Sequence, residues 1–84
     1  MSIKTKRIKT NKQWLKVSEI MDFSMTDDAI YSLQILGNAK ISYSDTVPSS
    51  DYFTINFTNP FTYEKKSGED LYINADNCIL TIAG

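Results

Sequence analysis

The feature that most constrains this chain is a period-two alternation across its middle. Ala29, Tyr31, Leu33 and Ile35 share one parity, Gly37-Asn38 follows, and Ala39, Ile41 and Tyr43 resume the alternation against Lys40, Ser42 and Ser44. Successive side chains of a strand point to opposite faces, and a Gly-Asn break between two such runs predicts a β-hairpin. A second hairpin is predicted near the C-terminus. There Leu71, Ile73 and Ala75 alternate with Tyr72 and Asn74, Asp76-Asn77 supplies a turn, and Cys78, Leu80 and Ile82 alternate with Ile79 and Thr81. Between the hairpins, Phe53, Ile55 and Phe57 read as a strand, Asn59-Pro60 interrupts it, and Phe61-Thr62-Tyr63 reads as a shorter one. Pro48 and Ser49-Ser50 mark residues 45–51 as a loop.

Residues 13–25 fit two patterns. Trp14, Val17 and Met21 make a helical stripe, whereas Leu15 with Val17, then Met21, Phe23 and Met25, make two short strands parted near Ser18-Glu19. Strands are favoured, because each half alternates cleanly and the rest of the chain is β. The total is seven or eight strands in about 70 residues, with turn signals every 8–12. That spacing predicts an all-β fold: a compact antiparallel sandwich or small barrel, jelly-roll-like.

With 84 residues, one domain is expected, burying about 60–65% of the surface its unfolded chain exposes. Cys78 is the single cysteine and histidine is absent, so neither an intrachain disulfide nor a histidine-based metal site can staple the core. Oligomerisation is the stabilising device that remains.

Charge divides the chain. Lys4, Lys6, Arg7, Lys9 and Lys12 give residues 1–12 a sum of +5, and residues 13–84 carry four basic and ten acidic side chains, a sum of −6. The expectation is an extended basic arm, residues 1–12, on a β domain, residues 13–84. With only Ile3 and Ile8 as apolar residues, the arm cannot offset the cost of ordering its backbone, about 1–2 kcal/mol per residue. It is expected to be disordered alone and ordered on a partner. Ile3, Lys4, Lys6, Arg7, Ile8, Lys9 and Lys12 are the candidate partner-binding residues, through attraction to an acidic surface or strand addition to a sheet edge.

The catalytic inventory is poor. Asp27-Asp28 and Glu69-Asp70 are neighbours in or beside turns, and adjacent strand residues do not converge on one substrate. Cys78 has no histidine to make its thiolate and shares the inward parity of Leu80 and Ile82, so a buried structural thiol is expected. No catalytic activity, metal or cofactor is expected. Tyr31, Tyr43, Tyr52, Phe53, Phe57, Phe61, Tyr63 and Tyr72 could stack bases, but the acidic body argues against nucleic acid as a partner. No apolar run approaches the roughly 20 residues of a membrane span. The basic N-terminus has no apolar stretch behind it, so cytoplasmic synthesis is expected.

The order W-L-K-V-S, I-Y-S-L-Q-I-L-G-N-A, I-S-Y-S-D-T-V-P-S and D-L-Y-I-N-A-D-N-C-I-L-T-I, across residues 13–84, resembles small structural proteins of tailed bacteriophages. In those, a tyrosine-glutamine strand is followed by glycine, another strand, a proline loop and a late leucine-tyrosine-isoleucine strand. The resemblance implies a capsid decoration (cement) subunit or a small head or tail appendage. It implies location in the virion and contact with major capsid or tail proteins. A homo-oligomer, with a trimer favoured, follows as the expected state. The competing class is a small nucleic-acid-binding or regulatory β-barrel.

Overall fold

The computed structural model describes residues 2–48, 51–56 and 60–84. Its elements run β1 (Ile3–Ile8), β2 (Leu15–Lys16), α1 (Val17–Ile20), β3 (Ile30–Ser44), β4 (Phe53–Asn56), β5 (Phe61–Glu64) and β6 (Asp70–Ala83). The fold is all-β and antiparallel, a six-stranded sheet in the order β1-β6-β3-β4, with β2 also on β6 and β5 also on β3.

Neither expected hairpin forms. β3 runs unbroken through Gly37-Asn38, and β6 runs unbroken through Asp76-Asn77. The two pair along almost their whole lengths, from Ser32 against Ala83 to Ser44 against Asp70, with one register shift between Asn38 and Lys40. Asn38 faces Asn77 and Lys40 faces Asn74, so β6 holds the extra residue of a β-bulge at Ala75-Asp76. The bulge also switches the buried parity of β6, from Leu71, Ile73 and Ala75 to Cys78, Leu80 and Ile82. Gly37 sits opposite it with φ +120°, and a Cβ there would lie 2.9 Å from the Asn77 carbonyl oxygen. Glycine is required at this point of close approach.

The bulge bends the sheet back on itself. Tyr31 and Tyr43 stand twelve residues apart on β3, about 40 Å if the strand were straight, yet the Cα trace is only 28 Å in its longest dimension. Tyr31 pairs with Tyr63 of β5, and the Tyr63 ring lies 5.6 Å from that of Tyr43. The two halves of β3 therefore face each other across a shared interior. Leu33, Ile35 and Ile41 from β3 and Ile73, Leu80 and Ile82 from β6 fill it as one cluster. β4 and β5 continue one register along the outer edge of β3, with Asn56 against Asn38 and Phe61 against Leu33. The strand and loop expectations for Phe57, Asn59, Ser49 and Ser50 concern positions outside the described residues.

Residues 13–25 also depart from the strand reading. Only Leu15–Lys16 pairs, a single helical turn follows, and Val17, Met21 and Phe23 are buried in the core. This segment covers the interior on the β1–β2 side, so apolar positions that mimic alternation come from a turn wrapped over the sheet.

The expected disordered arm is instead a strand. β1 pairs with β6 from Ile3 against Ala83 to Ile8 against Cys78. Its stability comes from the backbone edge that β6 presents, which the arm's own composition does not reveal. Residues 3–8 thus belong to the sheet.

Candidate functional site

Two surfaces carry the functional argument: the strand built from the basic segment, and a cleft where the bent sheet stays open. Along β1 the side chains alternate. Lys4, Lys6 and Ile8 point toward the segment that covers the core: the Lys4 ammonium donates to the Asp22 carbonyl at 2.7 Å, the Lys6 ammonium donates to the Ile20 carbonyl at 2.9 Å, and Ile8 is only 3% exposed. On the other face Thr5 hydrogen-bonds Thr81 at 2.8 Å, and the Arg7 guanidinium donates to the Asn77 side chain at 2.8 Å. Of the seven residues expected to bind a partner, Lys4, Lys6, Arg7 and Ile8 thus have partners within the chain. Ile3 is 70% exposed and Lys9 and Lys12 are exposed. Cations along an outer strand also discourage indiscriminate edge pairing.

On the opposite side, β4 and β5 end the sheet and the interior opens. The cleft there holds about 530 Å³ and is lined by Ile41, Tyr43, Phe53, Ile55, Tyr63 and Leu71, among others. Ile41 pairs with Phe53, and Ile41 is buried while Phe53 is 60% exposed and Tyr43 48% exposed. The apolar inner face therefore continues past its buried centre to the edge. The Tyr43 and Phe53 rings stack at an angle of 29° with centroids 6.1 Å apart, an aromatic wall. The strand behind it, Phe53-Thr54-Ile55-Asn56, carries no charge.

Charge gathers at the rim beside β5. The Tyr63 hydroxyl donates to Glu69 at 2.8 Å, and burial, reinforced by that carboxylate, pushes the tyrosine well above its usual value. Glu64 pairs with Lys66, and the hydrogen bond raises the lysine's pKa. Lys65 bonds Asp27 at 2.7 Å and is raised for the same reason. These contacts pin the turn after β5 and leave the cleft floor apolar.

Cys78 is buried and desolvation pushes its thiol up. Among the described residues no group of three or more Cys, Asp or Glu side chains converges as metal ligands, and no helix is long and apolar enough to cross a membrane. In the sequence Tyr43, Phe53 and Tyr63 read as residues of alternating strands. That they line an open cleft depends on where the bent sheet stops. Comparison of the chain with protein-family models, with curated proteins and with solved structures finds no match.

Proposed function

We propose that this chain is a structural subunit of a virus particle, assembling by protein–protein contacts. Its first partner is a second copy of itself, and the homo-oligomer is a trimer. The observation that carries the reading is the open inner face at β4, where Phe53 and Tyr43 are left about half exposed at an uncharged sheet edge. The resemblance in patterning to small tailed-bacteriophage structural proteins supports the virion setting.

A second copy fits because each subunit has two unlike edges. β1 is basic and carries exposed Ile3, while the β4–β5 edge is apolar with Glu64, Lys66 and Glu69 at its rim. Placing β1 of one copy beside the β4–β5 edge of the next brings Ile3 to the cleft and Lys9 toward the rim carboxylate of Glu69, which no lysine of its own chain neutralises by an ion pair among the described residues. Such a contact is head-to-tail, and it closes into a ring when the rotation per subunit is one third of a turn. Burying a Phe53-sized side chain contributes about 1.5–3 kcal/mol, a substantial gain for a domain of this size.

Sedimentation equilibrium at tens of micromolar tests the self-association, with a mass three times the 9.6 kDa of the chain expected. Cosedimentation with tailed-phage heads or tails lacking this protein tests the virion setting. A monomer that binds neither heads nor tails would overturn the proposal.

A further inference from the structure

We propose a second ligand site on the outer face, at the bulge, that takes the phosphate and base of a nucleotide, either free or within single-stranded nucleic acid. Its lining shares only Thr54 with that of the cleft. A polar pocket of about 380 Å³ is lined by Lys12, Asn38, Lys40, Thr54, Asn74 and Asp76, with Ala39 at its base. Its two cations come from different elements. Lys40 extends from β3 across the register shift, where it faces Asn74 on one side and Thr54 on the other. Lys12 belongs to a tight turn in which Asn11 and Lys12 both have positive φ, 55° and 63°.

That turn is anchored to the bulge. The Thr10 amide donates to the Ala75 carbonyl at 2.9 Å, the Ala75 amide donates to the Thr10 hydroxyl at 3.1 Å, and the Thr10 hydroxyl also lies 3.3 Å from the Asn74 side chain. The extra residue in β6 thus holds Lys12 over the same pocket that Lys40 reaches. Among the described residues, Lys4, Lys16, Lys65 and Lys66 lie within ion-pair distance of carboxylates, whereas Lys12 and Lys40, like Lys6, Arg7 and Lys9 on the β1 side, do not. Two cations without carboxylate partners, facing one lining carboxylate, Asp76, favour an anion.

A flat ring is favoured by what adjoins the cations. The Lys40 ammonium lies 5.1 Å from the Tyr52 ring centroid, and the Tyr52 ring lies 5.8 Å from that of Trp14. Tyr52 and Trp14 flank the pocket, and a phosphate that draws the Lys40 ammonium off the Tyr52 ring would leave its base beside these aromatics. Base–aromatic stacking with lysines beside the backbone is how single strands are held. Asn38 and Asn74 offer both donors and acceptors to a base edge. The negative charge of the rest of the body is no obstacle at this locality, since charges beyond a Debye length, about 8–10 Å at physiological salt, are screened.

Trp14 is the only tryptophan, so its emission reports binding directly, with anisotropy of a labelled oligonucleotide as a second readout. Oligothymidylate of about ten nucleotides, comparable to one single-strand site, should quench Trp14 and bind saturably. Thymidine monophosphate should compete, and inorganic phosphate should compete only weakly. Two phosphate contacts predict a weakening of about sevenfold for a fourfold rise in salt. Lys12→Gln with Lys40→Gln should weaken binding about tenfold or more while leaving the circular dichroism unchanged, and Tyr52→Leu should weaken it while retaining the salt dependence. Absence of saturable binding, binding untouched by the double lysine variant, or phosphate competing as well as the nucleotide would each overturn the assignment.

Discussion

Replacing Gly37 by alanine tests the bend on which the architecture depends. The residue has φ +120°, and a Cβ would sit 2.9 Å from the Asn77 carbonyl oxygen and 3.1 Å from the Cys78 Cα. A non-glycine residue in such a conformation costs about 1–3 kcal/mol, and forcing an atom against packed backbone about 1–3 kcal/mol more. The sum, about 2–6 kcal/mol, compares with a total stability of about 4–13 kcal/mol for a domain of 84 residues. The thermal midpoint should therefore fall by about 10 °C or more, or folding should be lost. Asn38→Val is the control. Asn38 has no positive φ, so a β-branched residue in this strand should change stability by no more than about 0.5 kcal/mol. In a two-residue Gly-Asn turn of type I′, position 38 would need positive φ and valine would be costly, and in type II′ valine would still lose the turn preference of asparagine. Circular dichroism melts of both variants decide. A neutral Gly37→Ala beside a damaging Asn38→Val would refute the continuous strand.

Removing residues 2–8 exposes the edge of β6 and deletes the buried Ile8, so a loss of at least about 2–5 kcal/mol is expected in a urea titration. Ile73→Ala, at a fully buried position on β6, should cost about 2–5 kcal/mol by the same measurement. Tyr63 has its pKa raised in the folded state, first by burial and then by Glu69. Its contribution is present below the unfolded tyrosine value of about 10 and is lost as pH climbs above that. Melting midpoints between neutral pH and strong alkali should fall less for Tyr63→Phe than for the natural protein.

Parts of this fold were legible in the sequence, and the errors have physical causes. In a two-residue hairpin at Gly37-Asn38, Ile35 would face Lys40 and the inward set would change parity. Ala29 to Ile35 and Ala39 to Tyr43 keep the same parity, the mark of one continuous strand, and the Gly-Asn turn signal obscured it. At Asp76-Asn77 the parity does change, which suits a hairpin and a bulge equally, so only the pairing with β3 decides. β1 was hidden for another reason: of its six side chains only Ile8 is buried, and the strand forms on a backbone edge supplied from the other end of the chain. The cleft residues were readable one by one as inward-facing, but not that the edge beyond β4 leaves them uncovered. The pocket at the bulge was hidden too, because Lys12 and Lys40 meet only through the extra residue in β6.

The central claim, that two unlike edges of this subunit join head to tail, is tested by complementation. Phe53→Asp spoils the cleft and leaves β1 intact, while Ile3→Asp alters only an exposed end of β1 and leaves the cleft intact. Each variant alone should sediment as a folded monomer. Mixed in equal amounts they should form a one-to-one dimer, because each supplies the surface the other lacks. Variants that remain trimeric, or a mixture that stays monomeric, would contradict the account.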